Sequence, residues 1–356
     1  MSRPLAGRNI SELYAESEHE MVVLWSDPPS DYRGVIAVHS TALGPAVGGT
    51  RFWNYAGDEE ASLDALRLSR GMTYKSALAG LPLGGGKAVI IGDNRTPRRE
   101  SIFRAHGRFV ESLGGRYITA EDVGTSPADM EYVRMETRHV AGLADRSGDP
   151  SPATAHGVLR AMRAAAKHRW GSDDLKGMRV AVQGCGHVGY HLARELHGCG
   201  ARLVLADVDA ARAEGAAREF GAAVVAPEEI VGAEADVFAP CALGGVIDDR
   251  ALARLRAGIV VGSANNQLRE ERHGDALEEL GVTYVPDYLA NAGGLINGCR
   301  ELLGWDVVRT TEKVRAIYDT TLVVLALAKA EGVAAHRMAD RLAESRLAAA
   351  AGSPLR

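Results

Sequence analysis

Residues 179–207, RVAVQGCGHVGYHLARELHGCGARLVLAD, decide the fold. Val180 and Val182 alternate with smaller or polar neighbours, as in a strand, and the pattern breaks at Gly184. Gly184, Gly186 and Gly189 stand in G-x-G-x-x-G spacing, ahead of a helical pattern through Leu192 and Leu196. A second strand, 203–206, ends on an acid, Asp207. The spacing has a physical reading: a tight turn at Gly184, close approach of backbone to a pyrophosphate at Gly186, and close helix–strand packing at Gly189. The helix N-terminus would face the phosphates with unpaired N–H groups and partial positive charge. Glycine-rich turns are common, but here strand, helix, second strand and acid fall in order, which favours a dinucleotide site over a merely structural turn. Asp207 reads either as a strand-end cap or as the acceptor of both ribose hydroxyls. In the second role it repels a 2′-phosphate, so the expected cofactor is NAD and not NADP.

Working outward, 356 residues are too many for one typical core and suggest two domains. An apolar fraction of 46% with 24% charged residues is that of a globular chain, and a net charge of −5 leaves no basic footprint for nucleic acid. No apolar run reaches the ~18 residues of a membrane span and no signal-peptide core stands in the first thirty residues, so a cytoplasmic protein is expected. Cysteines at 185, 199, 241 and 299 form no C-x-x-C pair, and neither a metal site nor a disulfide framework is expected.

Residues 1–10 read as a loose terminus, and 21–25 and 34–39 as strands, the latter apolar enough to be covered on both faces. Residues 43–50, LGPAVGGT, read as a glycine-rich loop, either a plain turn or a place where backbone approaches a ligand. A helix is expected over 58–69, followed by Gly71-Met72-Thr73-Tyr74-Lys75, and then Gly84-Gly85-Gly86-Lys87 at the mouth of a strand, 88–91. The last run is no phosphate-binding loop, because Leu81 stands where a glycine is needed and Ala88 where Ser or Thr is needed. Most lysines are solvated, but one beside a buried strand is a candidate for a perturbed pKa. After a helix at 101–113, the strand 116–120 ends in Glu121-Asp122. Ser126 and Pro127 already start the next helix, so Asp122 is less needed as its cap. A hinge is expected over 147–152 and a long helix over 154–168. Beyond Asp207, short strands at 222–225, 237–238, 258–261 and 283–285 alternate with helical stretches such as 249–256 and 274–280, a doubly wound parallel sheet. The loops 239–245, 262–266 and 291–294 lie at strand ends, where ligands bind in such sheets, and the chain is helical from 306.

Seven strings, LGPAVGGTRFW, DALRLSRGMTYKSALAGLPLGGGKAVIIGD, GRYITAEDVGT, DPSPATAHGV, DVFAPCALGG, SANNQL and PDYLANAGGLIN, resemble the Glu/Leu/Phe/Val dehydrogenase family, its leucine and valine branch most closely. The resemblance spans His39 to about Arg346. It implies an α/β fold in which residues 1–146 form a substrate-binding and oligomerisation domain, rejoined by a helical return at about 325–356. Residues 147–324 would form a Rossmann-type NAD-binding domain, with an active-site cleft between the two. The implied reaction is reversible, NAD-dependent oxidative deamination of an apolar L-amino acid to a 2-oxo acid and ammonia, in a homo-oligomer. By the same resemblance Lys75, the backbone of Gly49 and the side chain of Asn266 would bind the substrate carboxylate. Lys87 would be the base that activates water, and Asp122 would carry the proton of the substrate nitrogen. Thr154, Cys241, Ala242 and Asn265 would contact the nicotinamide end of a cofactor whose other end rests on Gly184, Gly186, Gly189 and Asp207.

Free lysine titrates near ~10.4, too high for a base at neutral pH. Partial burial and a second ammonium, Lys75, would depress Lys87, with Asp122 offsetting part of the effect. Val47, Ala120, Leu295 and Gly298 would line the side-chain pocket. The leucine and valine enzymes usually carry Val at the position of Leu295 and a β-branched residue at that of Gly298, so aromatic or unusual aliphatic substrates also come into view. A non-catalytic NAD-binding sensor would have lost Lys75, Lys87 and Asp122, all of which remain. An imine reductase or cyclodeaminase would keep NAD but release no ammonia.

Overall fold

A computed structural model describes residues 14–15, 17–143 and 148–352; the loose terminus expected over 1–10 lies outside the described residues, as does Ser147 of the hinge. The chain divides into two compact units.

The first unit comprises Met1–Gly148, Glu301–Gly304 and Ser345–Arg356. Its strands β1 (Met21–Asp27), β2 (Tyr32–Ser40), β3 (Ala46–Trp53), β4 (Gly84–Ile91) and β5 (Tyr117–Glu121) form one sheet in the order β1-β2-β4-β3-β5. β3 runs parallel to both β4 and β5, while β2 is antiparallel to β1 and β4. The apolar run of β2 has the cause its sequence suggests. Val35 and Ala37 pack with Ala61, Ala65 and Leu66 of α1 (Asp58–Leu78) on one face. Tyr32, Ile36 and Val38 pack on the other with residues of α2 (Arg99–Ser112) and α3 (Pro127–Arg134). The start of α3 matches its sequence signal, the Asp129 carboxylate accepting from the Ser126 N–H at 2.8 Å.

Three expectations are corrected here, and the first and third share a cause. Residues 46–50 are not loop but the first half of β3, between β4 and β5. α1 does not stop at 69: it runs through Gly71 to Leu78, because Thr73, Tyr74, Ser76, Ala77 and Leu78 bury their side chains and offset the ~1 kcal/mol a helical glycine costs. β4 begins at Gly84, so Lys87 lies within the strand and not at its mouth. In all these strand positions glycine reflects close packing. A Cβ on Gly48 would lie 1.7 Å from the Gly86 carbonyl oxygen, one on Gly85 would lie 2.0 Å from the Thr73 nitrogen, and one on Gly86 would lie 2.6 Å from the Tyr117 ring.

Beneath β3 runs a buried polar chain. The Tyr32 hydroxyl meets His106 Nδ1 at 2.9 Å, His106 Nε2 meets Thr50 Oγ1 at 2.8 Å, and Thr50 bonds Thr119 at 2.5 Å. Burial takes the His106 pKa down to about 3, so the ring is neutral.

The second unit comprises Asp149–Arg300 and Trp305–Glu344. It opens with α4 (Ser151–Trp170), three residues earlier than expected. Then follow β6 (Arg179–Gln183), α5 (His187–Gly198), β7 (Arg202–Ala206), α6 (Ala210–Phe220), β8 (Ala223–Val224), β9 (Val237–Pro240), α7 (Asp249–Arg254), β10 (Ile259–Val260), α8 (Arg272–Glu279) and β11 (Thr283–Tyr284). The sheet is parallel throughout, in the order β11-β10-β9-β6-β7-β8, so the winding reverses between β6 and β9. After the short α9 (Asp287–Ala290) come α10 (Gly293–Leu302), α11 (Val307–Arg315), α12 (Ile317–Glu331) and α13 (Ala335–Ala351). In the division into compact units the chain rejoins the first unit over Glu301–Gly304 and again from Ser345. Within the second unit α12 buries Ile317, Val324, Leu325 and Ala328, and Ile317 sits against Gly157 of α4. Among the described residues no helix is long and apolar enough to cross a membrane.

Candidate active site

In the first unit, parallel pairing in register sets three groups abreast. Val47 lies opposite Gly85 and Thr50 opposite Ala88, which puts Gly49 level with Lys87; on its other side Gly49 pairs with Ala120. Asp122 follows directly on β5. Lys87 therefore reaches across β3 at a level, Gly49, where the strand has no side chain, and its Nζ stands 2.8 Å from Asp122 Oδ2. A Cβ on Gly49 would lie 2.8 Å from the Asp122 Cβ and 2.3 Å from the Glu121 carbonyl oxygen. Lys87 is 5% exposed. The Asp122 backbone is fixed by Thr125, whose Oγ1 accepts from the Asp122 N–H at 2.8 Å.

A residue that sequence reasoning missed completes this arrangement. Arg51 stands two residues beyond Gly49, on the same face of β3. Its Nε donates to Asp122 Oδ2 at 3.0 Å and its Nη1 to Asp64 Oδ2 at 2.9 Å, and the Tyr55 hydroxyl donates to the same Asp64 oxygen at 2.5 Å. The period-2 parity that reveals Arg51 is invisible as long as 43–50 reads as a loop. Burial lowers the Lys87 pKa, the Asp122 carboxylate opposes that, and the Arg51 charge lowers it further. Arg51 is thus a cation acting on Lys87 beyond the Lys75 that the sequence points to. Burial alone would raise the Asp122 pKa, but the Lys87 and Arg51 charges outweigh it and hold the carboxyl at about 2. Lys75 lies in the last turn of α1, the helix that packs through Thr73 on Gly85. Of the pocket residues, Val47 is buried in β3 and Ala120 half-buried in β5.

In the second unit the three motif glycines divide their tasks as spacing suggests. Gly184 has φ +95°, and the site of its missing Cβ is filled by Ala242 at 2.9 Å. A Cβ on Gly189 would lie 1.9 Å from the Gly184 carbonyl oxygen, so helix and turn touch, whereas the space beside Gly186 is open to 4 Å. Gly186 is the N-cap of α5 and supplies no side-chain cap, leaving the first N–H groups for an anion. The Asp207 carboxylate accepts from the Cys185 N–H at 2.6 Å and the Asp209 N–H at 2.8 Å, which fixes it at the end of β7 with lone pairs to spare. These residues fit a dinucleotide.

The loops at the carboxyl ends of the strands are tied to one another. The Cys241 N–H donates to the Gln183 carbonyl at 2.7 Å. Asn291 Nδ2 donates to Asn265 Oδ1 at 2.8 Å and to the Ser263 carbonyl at 3.0 Å. Asn266 takes a left-handed backbone, φ +52°, with its N–H bonded to Asp287 Oδ2 at 3.0 Å and its carbonyl to the Gly245 N–H at 2.7 Å. Thr154 lies in the first turns of α4, against Gly294 at the start of α10, the helix that carries Leu295 and Gly298.

Residues 19–139 match the family model "Glu/Leu/Phe/Val dehydrogenase, dimerisation domain", and residues 147–211 and 205–350 match "Glutamate/Leucine/Phenylalanine/Valine dehydrogenase". A leucine dehydrogenase of Thermoactinomyces intermedius is 53% identical over 93% of this chain and 91% of its own length. A valine dehydrogenase of Streptomyces virginiae is 48% identical over 92% and 94%. The crystal structure of L-tryptophan dehydrogenase from Nostoc punctiforme superposes with a TM-score of 0.84 at 45% identity, covering 96% of this chain and all of that one.

Proposed function

This chain belongs to the Glu/Leu/Phe/Val dehydrogenase family, and on that premise we propose how its residues divide the work. It is an NAD(P)-dependent amino acid dehydrogenase, reversibly deaminating L-amino acids with apolar side chains to 2-oxo acids and ammonia. The assignment of roles rests on one observation: a buried amine, Lys87, held 2.8 Å from a carboxylate across a strand bare at that level.

Lys75, the Gly49 backbone and Asn266 hold the substrate carboxylate. Asp122, an anion held by Lys87 and Arg51, hydrogen-bonds the substrate ammonium and relays its proton as the free amine forms. The nicotinamide, when bound, accepts the hydride from Cα. Lys87, its pKa lowered by burial and Arg51, takes a proton from the water that attacks the resulting imine. The carbinolamine collapses to oxo acid and ammonia once Asp122 returns a proton to nitrogen, the hydroxyl proton leaving with the departing nitrogen as ammonium. Thr154, Cys241, Ala242 and Asn265 orient the nicotinamide end. Lys87→Ala tests the central role: turnover should fall ~10²-fold or more while NAD still binds, and retention of over a tenth of turnover refutes it.

NAD is preferred over NADP on this reading, because a fixed Asp207 carboxylate accepts ribose hydroxyls and repels a 2′-phosphate. The side-chain pocket, lined by Val47, Ala120, Leu295 and Gly298, lacks bulk at Gly298 and favours large apolar side chains, aromatic ones included; the likeness to an L-tryptophan dehydrogenase supports this. Specificity constants for valine, leucine, phenylalanine and tryptophan test it, and a preference for valine overturns it. The enzyme assembles as a homo-oligomer through its first unit, a reading supported by the edge strand β1, where Leu24 and Trp25 are 47% and 39% exposed. Sedimentation checks this, and a monomer refutes it.

A further inference from the structure

We propose that Arg51 is the positioning residue of this site: it shares one oxygen of Asp122 with Lys87, leaving the other for the substrate nitrogen, and keeps Asp122 an anion, ready to receive the substrate's proton, while Lys87 carries none before the reaction starts. The proposal rests on the roles given above to Lys87 and Asp122.

Three observations carry it. Both cations converge on the same atom, Asp122 Oδ2, at 2.8 Å from Lys87 and 3.0 Å from Arg51, and Oδ1 accepts nothing from the described residues. A carboxylate held this way is fixed at one oxygen and free at the other. Arg51 cannot swing aside, since its far nitrogen is bonded to Asp64 and Asp64 in turn to Tyr55. Finally, the identity of the cation matters. The chemistry requires Lys87 to give up its proton, and at that moment Asp122 loses one of its two counter-charges within a site only 18% exposed at the carboxylate. With no other cation the proton would move to Asp122 and the pair would titrate as one group. A second lysine could itself deprotonate; a guanidinium does not at any working pH, and its fork reaches Asp122 and Asp64 together.

The charged and titratable groups packed around the pair come from every neighbouring element. α1 brings Asp64 and, in its last turn, Lys75; the chain after β3 brings Tyr55; β2 brings His39, which burial holds neutral with a pKa of about 3. Asp64 lies against Arg51 and partly balances it, and Arg51 is a permanent cation in contact with Asp122.

The test is the pH dependence of kcat/KM for oxidative deamination in the full-length enzyme, with NAD binding and melting temperature as controls. Removing a cation that lowers the Lys87 pKa raises that pKa, so in Arg51→Gln the acid limb moves to higher pH, with kcat/KM at neutral pH down ~10-fold or more. Arg51→Lys restores the charge without the fork: its limb stays near that of the wild type while kcat/KM stays reduced. A loss of rate equal at all pH values in Arg51→Gln, or a wild-type profile, overturns the proposal. If Arg51→Gln does not fold, Arg51→Lys decides, and an unchanged kcat/KM overturns it. Lys87→Ala separates this proposal from its foundation: should that variant stay active, the base assignment falls; should it be inactive while Arg51→Gln keeps the wild-type profile, only the role of Arg51 falls.

Discussion

Adding a single methyl group to the strand that Lys87 crosses should disable the enzyme. In Gly49→Ala the new Cβ would sit 2.3 Å from the Glu121 carbonyl oxygen and 2.8 Å from the Asp122 Cβ, where ordinary contacts begin at 3.4 Å. Neither neighbour is the flexible end of a side chain, so the end of β5 must move by ~1 Å, at a cost of about 1–3 kcal/mol for overpacking. The same movement stretches the 2.8 Å contact between Lys87 and Asp122 towards 4 Å, beyond hydrogen-bonding range. A misplacement of ~1 Å at a reacting centre costs about 10²-fold in rate. Gly49→Ala should therefore lower kcat/KM for the amino acid ~10²-fold and the melting temperature by several degrees, with NAD affinity unchanged because the residues proposed to hold the dinucleotide lie in the second unit. Steady-state kinetics, calorimetric NAD titration and thermal melting measure the three quantities. A variant within threefold of wild-type kcat/KM would show that Asp122 does not depend on the bare level of β3.

Asp207→Ala should raise the Michaelis constant for NAD and narrow the gap to NADP, since a ribose hydrogen bond and a repulsion vanish together; equal use of both cofactors by the wild type refutes this. Gly298→Val should penalise large substrates and improve leucine or valine by ~1–3 kcal/mol, or about 10–200-fold in specificity constant; an unchanged ranking would show that position 298 does not line the pocket. His106, neutral in the fold with a pKa of about 3 against 6.5 when unfolded, stabilises fully above pH 6.5. As pH falls from 6.5 towards 3 the unfolded chain gains a proton the folded one refuses, and up to ~1.4 kcal/mol is lost per pH unit. The acid side of a plot of melting temperature against pH should be flatter in His106→Gln, and an unaltered slope refutes the assignment.

The two halves of this protein differ in how plainly their sequences speak. In the second unit the glycines do what glycines are usually read to do: Gly184 turns, Gly186 leaves space, and Gly189 packs on the turn. A strand, a helix and an acid in fixed order are local facts. In the first unit Gly48, Gly49, Gly85 and Gly86 look the same on paper but answer to neighbours far away in sequence, the β4 backbone, Asp122, Thr73 and Tyr117. No local pattern distinguishes a glycine demanded by a turn from one demanded by an adjacent strand. Lys87 and Asp122 stood out through their motifs, whereas Arg51 required the parity of β3.

The division of labour between the units bears on how such an enzyme can change its diet. The amine, its carboxylate and the guanidinium that steadies them all belong to the first unit, while Leu295 and Gly298 ride on α10 in the second. If Leu295 and Gly298 line the pocket as proposed, substitutions there change residues that belong to neither β3 nor β5, so variants there should vary widely in preference yet keep the base proposed for Lys87. Val47 and Ala120 are different: one shares β3 with Gly49 and the other is paired with it, so any gain in selectivity at either risks moving Asp122. A search for new substrates that begins on α10 and leaves β3 and β5 alone therefore meets the fewest dead variants.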